Sequence, residues 1–429
     1  MSSKKILGII TVISFLVFVY YLAIGSAEKK VKIPNLAIGF DLENATSAIQ
    51  SSERTIQYYL HEIEKNPAEV DPYIALAQHY LKIGRSTGQE IKYINEAEKI
   101  IRSAIELDSD NALALAIKAT LYVTKHRLEE AIPLAEEAIQ INPYLAYAYG
   151  ILVDVNAELG NYDKAVEYCD KMISIRPDLR SYSRVSYLRE LHGDPEGAID
   201  AMKLAASAGM PGYENRAWSL FYLGDLFLDK GDLETAEAIF TGILQESPGY
   251  VHAMSGLAEI KMAQQNYEEA VSLLLHAYEI APDHNVLELL TAVYTAAGKK
   301  KQVDEIIKKV FEIFSNYEKN GWNINLEYAR YGSVYNVNLK EALYRIEREL
   351  IRRPGNIEVL ESYAWVLFKN GRAKEAMPII MRALRLETKD AELYFRAGQI
   401  SKAIDQMDKY QYFLAETIKI NPEYLKNKI

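Results

Sequence analysis

The residue types that perform catalysis are present in this chain, but no catalytic or metal-binding motif occurs in the structural context that its chemistry requires. The seven histidines form no HExxH pair. The patterns GxxxxGK[ST] and GxGxxG, which bind phosphates, are absent. The pattern GxSxG occurs once, at residues 84–88, but Gly84 falls in a predicted turn between two helices, whereas a nucleophilic serine of this type needs a strand-to-helix turn. The single cysteine, Cys169, cannot form an internal disulfide or a paired-cysteine metal site. The sequence therefore predicts a protein that is not an enzyme and binds no cofactor and no metal.

Prolines recur in the chain with a fixed period. Pro143 and Pro177 lie 34 residues apart, and Pro248 and Pro282 lie 34 residues apart as well. A period of about 20 to 50 residues is typical of stacked supersecondary units. The repeat therefore predicts a solenoid, which grows by adding units and needs no single large core.

Small and large residues also recur at fixed positions, if the proline is counted as position 32. Position 20 is an alanine in many units: Ala131, Ala165, Ala236, Ala270, Ala342 and Ala376. Large apolar residues such as Phe240 and Leu274 follow four positions later, which places them on the same face of a helix. Gly160 and Gly231 fall where a first helix would end. Each unit is therefore predicted to be a pair of antiparallel helices that approach closely at the alanines.

This pattern resembles the tetratricopeptide repeat (TPR). The best matches are Leu223-Gly224…Ala236…Phe240…Pro248 and Leu257-Ala258…Ala270…Leu274…Pro282. The resemblance covers about residues 51 to 424 and implies an all-α, right-handed superhelical TPR solenoid of about ten helix-pair units. The unit at 285–322 is degenerate, because Asp304 occupies the small position 20.

The resemblance also implies a concave groove, lined in this family by positions 2, 5, 9, 12 and 13 of each unit. Carried over to this chain, the candidate groove residues are Tyr147, Asp154, Arg184, His192, Trp218, Phe221, Asp225, His252 and Glu259. Apolar anchors with a few charged groups are what binding of a protein or an extended peptide requires. No unit carries Lys at position 5 or Asn at position 9, which argues against the chaperone tails that some family members bind.

The stretch from Arg180 to Trp218 departs most from the repeat. Its small residue shifts by one place to Ala198, and residues 205–216 are added. An irregularity inside a regular array bends the solenoid or presents a loop. The formal charge of −10 argues against nucleic acid as a partner, since nucleic-acid binding requires clustered Lys and Arg.

The amino terminus predicts a membrane anchor. Residues 6–24 carry no charge, and Lys4 and Lys5 precede them. As a helix they would span roughly 28 Å, close to the hydrocarbon thickness of a bilayer. The predicted organisation is a basic tail (1–5), a transmembrane signal-anchor or a cleaved signal peptide (6–24), a tether (25–50), the TPR solenoid (51–424) and a C-terminal tail (425–429).

The short, basic amino terminus is typical of a bacterial signal-anchor, which would place the repeats outside the cytoplasm, in the periplasm or at the cell surface. The alternative is an organelle receptor whose repeats face the cytosol. Lysines lie on both sides of the span, so the positive-inside rule hardly separates these two orientations.

The last predicted helix carries apolar Met407, Tyr410, Leu414 and Ile418 close to the end of the array, which suggests a homodimer through the C-terminal unit. The function expected from the sequence is a non-enzymatic scaffold or receptor that binds a protein or peptide at a membrane. The alternative is an assembly or regulatory subunit of an envelope enzyme complex that makes polysaccharide or cell wall.

Overall fold

The computed structural model describes residues 42–87 and 89–427, and these residues form helices joined by short loops. Residues 49–429 make up one compact unit of the chain. In chain order the helices are α1 Leu42–Lys65, α2 Asp71–Thr87, α3 Glu90–Leu107, α4 Ala112–Thr124, α5 Leu128–Ile141, α6 Ala146–Leu159, α7 Tyr162–Ile175, α8 Leu179–Leu191, α9 Pro195–Ala208, α10 Glu214–Asp229, α11 Leu233–Glu246, α12 Val251–Ala263, α13 Tyr267–Ile280, α14 His284–Ala296, α15 Lys300–Lys319, α16 Asn325–Val334, α17 Leu339–Arg352, α18 Ile357–Lys369, α19 Ala373–Ala383, α20 Ala391–Ala403 and α21 Met407–Ile420. The all-α solenoid predicted from the period is therefore confirmed.

The helices pack as pairs, α2 with α3, α4 with α5, and so on to α20 with α21. The position-20 alanines are fully buried where the two helices of a pair meet: Ala131, Ala165, Ala236, Ala270, Ala342 and Ala376. The phenyl ring of Phe240 shows how tight this packing is. A Cβ added to Gly224 or to Gly256 would lie 2.5 Å from that ring, so both positions exclude any side chain.

Turn chemistry ends the helices where the sequence pattern predicts. Gly160 and Gly231 follow first helices with φ of +78° and +76°, a left-handed conformation that favours glycine. Second helices end two residues before the repeated prolines, as at Ile141 before Pro143.

First helices form the inner layer of the solenoid. The first helices of adjacent units, such as α6 and α8 or α10 and α12, contact each other in addition to their own partners. Second helices make their extensive contacts with their neighbours in sequence alone. The first helices are therefore the more closely spaced layer, and we call their solvent-facing side the inner wall.

The solenoid completes a turn after six helix pairs, so the second turn rests on the first. In each contact a side chain of the second turn donates a hydrogen bond to a carbonyl at the end of a first-turn helix: Asn356 to Glu158 (2.9 Å), Thr388 to Leu191, and Asn421 to Leu228 (3.2 Å). The backbones also touch, because a Cβ added to Gly160 would lie 2.1 Å from the carbonyl carbon of Gly355. We call this line of contacts between the turns the seam.

Several predictions concern the two ends of the chain. The predicted span at 6–24 and the first part of the tether lie outside the described residues, and the tether is helical from Leu42 onward. Within 42–87 and 89–427, no helix combines the length and the apolar character needed to cross a bilayer. Met407 and Ile418 are 47% and 45% exposed, and the homodimer stays a prediction.

Candidate binding surface

Aromatic rings cluster on the inner wall formed by α10 and α12. The Trp218 and Tyr222 rings lie 4.4 Å apart, and the Phe221 ring lies 5.3 Å from Tyr222 and 5.4 Å from His252. Tyr250 approaches His252 at 5.4 Å. We call Trp218, Phe221, Tyr222, Tyr250 and His252 the aromatic cluster.

Helical spacing explains why these side chains share one face. Trp218, Phe221, Tyr222 and Asp225 occupy positions i, i+3, i+4 and i+7 of α10, which project to the same side. Phe221 is supported from below by the buried ring of Phe240, 5.8 Å away. The Tyr222 ring is 39% exposed, so the cluster presents apolar surface to solvent on a rigid base.

Acidic side chains lie beside the aromatic cluster: Glu190 of α8, Asp225 and Asp229 of α10, Glu259 of α12, and Asp390, which precedes α20 in the second turn. We call them the carboxylate cluster. They keep partial contact with water, but the surrounding protein limits their hydration. That loss of hydration raises the pKa of Asp225 to about 6.

The carboxylates also repel one another. Burial, and then the charges of Asp225 and Asp390, raise the pKa of Glu190 to about 7. Burial, and then Asp225, raise the pKa of Glu259 to about 8. Among the residues that the structure describes, Glu190, Asp225, Asp229 and Glu259 form no ion pair, so these carboxyl groups lie together without a cation.

The inner wall of the second turn is also acidic, but arginines neutralise it. Arg330 of α16 lies 2.9 Å from Glu358 and 3.7 Å from Glu288. Arg396 of α20 lies 3.3 Å from Glu361 and 2.5 Å from Glu392. The guanidinium of Arg396 also lies over the Trp365 ring, 5.2 Å from its centroid.

The structure brings together five of the nine groove residues predicted from the sequence: Trp218, Phe221, Asp225, His252 and Glu259. Three others form a separate group between α6 and α8. There the Arg184 guanidinium donates to Asp154 at 2.8 Å and to the Gly150 carbonyl at 3.0 Å. The Tyr147 hydroxyl lies 2.5 Å from the Thr120 hydroxyl. These polar groups satisfy one another and join neighbouring units.

His192 lies apart from both groups, at the end of α8. Its Nδ1 lies 2.7 Å from the Leu188 carbonyl, and its ring is 6.4 Å from that of Tyr162. The reason is a difference of one residue in register. Asp178 caps α8 and starts it at Leu179, one residue earlier than the count from Pro177 implies.

This register places Tyr187 and Glu190 on the inner wall, while Leu188 is buried. Both were missed from the sequence, although the shift of the small position to Ala198 gave the signal. Tyr222 was missed as well. Asp390 carried no sequence signal, because it joins the carboxylate cluster only through the stacking of the two turns.

Comparison with known proteins identifies the repeat. Models of the tetratricopeptide repeat match residues 146–179, 188–251 and 227–293. The TPR repeat-containing protein MJ1428 of Methanocaldococcus jannaschii is 25% identical over 354 residues, which are 78% of this chain and 55% of the relative. The small glutamine-rich tetratricopeptide repeat-containing protein 2 of Saccharomyces cerevisiae is 37% identical over 76 residues, 18% of this chain and 22% of the relative.

Solved structures are similar at the level of the fold. One is YrrB, described as a TPR protein with an unusual peptide-binding site. It is 21% identical, with a TM-score of 0.29, over 43% of this chain and 94% of that one. The chain spans about half the length of MJ1428 and less of the other curated relatives. The helix pairs within 146–179 and 188–293 are therefore tetratricopeptide repeats, set in an all-α solenoid that extends the same pairing on both sides.

Proposed function

We propose that this protein is a non-enzymatic receptor or scaffold that holds an extended, lysine- or arginine-bearing segment of another protein on its inner wall. The observation that carries the proposal is the position of the exposed aromatic cluster directly beside carboxylates that have no cation. Apolar anchors supply affinity, and neighbouring charges fix the register of the bound segment.

The charge of the partner follows from complementarity. A lysine or arginine between Asp225, Glu190 and Glu259 would stabilise their ionised forms, which the wall by itself disfavours. A cation over Trp218 or Tyr222 would gain a further cation–π contact of about 0.5 to 2 kcal/mol. An acidic segment would meet repulsion at the same place.

The neutralised wall of the second turn offers an internal control. Trp365 and Phe368 stack at 4.9 Å, much as the aromatic cluster does, but Lys369 and Arg396 already lie over the Trp365 ring. Aromatic surface alone is therefore present in both turns. We infer that the site for a basic segment lies in the first turn at Glu190, Asp225 and Glu259, which have no paired cation.

The predicted span at 6–24 would hold this receptor at a membrane, with the repeats outside the cytoplasm. Protease added to intact cells or spheroplasts tests this placement. Cleavage of the solenoid in unbroken spheroplasts supports it, whereas full protection until lysis supports the cytosolic alternative.

Binding is tested with the full-length protein and a synthetic glycine–serine peptide that carries lysines and leucines. Trp218→Ala with Phe221→Ala is expected to weaken the affinity at least about tenfold, or 1.4 kcal/mol. Trp365→Ala is the matched control and should retain wild-type affinity. The proposal fails if the double variant binds the peptide as tightly as the wild type, or if a glutamate-bearing peptide binds equally well.

A further inference from the structure

The seam differs in kind from the packing inside each turn. Inside a turn, units are joined covalently and pack through buried alanines and large apolar side chains. Across the seam, the principal contacts are polar. They include the three side-chain donors already described, an ion pair of Arg352 with Glu129 (2.7 Å) and another of Arg353 with Glu158 (2.6 Å).

A buried apolar contact across the seam lies around Tyr162. Tyr162 packs with Ile357 and Leu360 in a buried cluster, and its hydroxyl accepts a hydrogen bond from the Ile357 N–H at 2.9 Å. Leu191 packs against the same cluster. Each polar contact contributes only about 1 kcal/mol net, because water replaces the partner when the contact opens. The seam therefore depends on polar contacts more than the packing inside a turn does, and its two sides are not joined by a short loop.

Access to the inner wall depends on this interface. Adjacent units cannot part, since loops of a few residues join their helices. Where the backbones of the two turns touch, as at Gly160 and Gly355, no segment can pass between them to the wall. Separation of the turns would give a segment that lies between two folded domains a direct sideways path.

Charge at the seam links its closure to the partner. Thr388 bonds the Leu191 carbonyl, and this contact brings Asp390 of the second turn beside Glu190 of the first. The two like charges oppose closure of the empty seam. A cationic segment that binds both would favour the closed state.

We propose that the seam is a gate that opens to admit an internal segment of a partner to the inner wall and closes over it. What enters depends on the proposed function, whereas the opening itself depends only on the contacts between the turns. The two parts can therefore be tested separately.

Opening is measured without any partner, by hydrogen exchange of the full-length protein. The N–H of Ile357 bonds the Tyr162 hydroxyl and that of Asn323 bonds the Lys125 carbonyl, so both report the seam directly. They are expected to exchange at least about tenfold faster than the amides within α18. Exchange of both only through global unfolding would overturn the gate.

Variants connect that exchange to the seam. Thr388→Ala with Asn421→Ala removes two hydrogen bonds across the seam without touching the cap of α18, and it should accelerate exchange at both amides about tenfold. The matched control is Asn370→Ala. It loses a hydrogen bond from the side-chain amide to the Leu339 carbonyl inside one turn, and it should leave the exchange rates of these two amides unchanged. Equal effects of the two variants would contradict a separate opening of the seam.

A covalent lock tests entry. Glu129→Cys with Arg352→Cys places two thiols across the seam for a short bismaleimide, and Cys169 stays unreactive because burial raises its thiol pKa to about 11. The probe is the lysine–leucine peptide, free or fused between two folded domains. The lock should slow binding of the fusion at least about tenfold and spare the free peptide.

The uncrosslinked double variant is the control for folding and should bind both probes. Equal binding of the fusion to locked and unlocked protein would overturn the gate and leave the receptor intact. Failure of the free peptide to bind the wild type would instead contradict the proposed function. Exchange at the seam would then still decide whether the turns separate.

Discussion

The inner walls of the first and second turns are built from the same helix positions but treat negative charge differently. In the first turn, Glu190, Asp225 and Glu259 lie together without a cation. In the second turn, Arg330 and Arg396 pair with the carboxylates around them. A paired wall is complete by itself, whereas an uncompensated wall gains from a partner. The difference identifies which part of one continuous surface is suited to binding.

The largest expected effect comes from removing a cation of the second-turn wall. Arg396→Met leaves Glu361 buried without its cation and should lower the free energy of unfolding by about 3 kcal/mol in urea titrations. Arg189→Met, which breaks the exposed pair with Asp194, should cost less than about 1 kcal/mol. Adding Glu361→Met to Arg396→Met should restore most of the loss, and a double variant no better than the single one would refute the charge argument.

The support beneath the aromatic cluster gives the next effect. Gly256→Ala forces a methyl group against the Phe240 ring, which contacts Phe221. The change should lower the free energy of unfolding by about 1 to 3 kcal/mol and weaken peptide binding. Gly242→Ala is the matched control, because nothing lies within 4 Å of its added Cβ. Gly242→Ala is expected to raise the free energy of unfolding by about 0.5 to 1 kcal/mol, because alanine has the higher helix propensity. Thermal melts compare the two, and a neutral Gly256→Ala would show that Phe240 adjusts freely.

Neutralising carboxylates of the first-turn wall should raise the stability of the empty protein and lower its affinity for the peptide. Asp225→Asn with Glu259→Gln removes charges that repel each other, so the empty protein should become more stable at pH 8. The same change should weaken binding of the lysine–leucine peptide about tenfold. Calorimetric titration and melting of one sample measure both, and tighter binding in the variant would exclude a basic partner.

The smallest effect is on pH dependence. The raised pKa values of Asp225, Glu190 and Glu259 mean that the folded state holds more protons than the unfolded state between about pH 5 and pH 8. The stabilising contribution of the carboxylate cluster to the free energy of unfolding is therefore fully present at low pH and declines as the pH rises through 6 to 8. His252, whose pKa burial lowers, acts in the opposite sense.

The difference between the wild type and the doubly neutralised variant isolates this contribution. It should grow between pH 5 and pH 8 in favour of the variant, when stability is measured by urea titration at each pH. A difference that does not change with pH would mean that these carboxylates titrate normally.

Much of the site could be predicted because it lies within single helices. Trp218, Phe221 and Asp225 share a face of α10 by helical spacing alone, and Ala236 sets their register. His252 and Glu259 occupy the corresponding face of α12. In contrast, the positions of Arg184 and His192 were counted from Pro177. One residue separates that proline from α8, whereas two separate Pro143 from α6, so the count was displaced by one.

The amino-acid sequence alone determined the repeated helix pair, the buried alanines between its helices and the aromatic face of the central units, because each depends on spacing within about 34 residues. Tertiary structure decided how the units close on themselves. The small rotation between neighbouring units accumulates over six of them, and no single unit encodes the sum. Only this accumulated rotation brings Asp390 close to Glu190 and places the side chain of Asn356 at the end of α6. It also places the second turn against the first, so that the groove is covered along the seam.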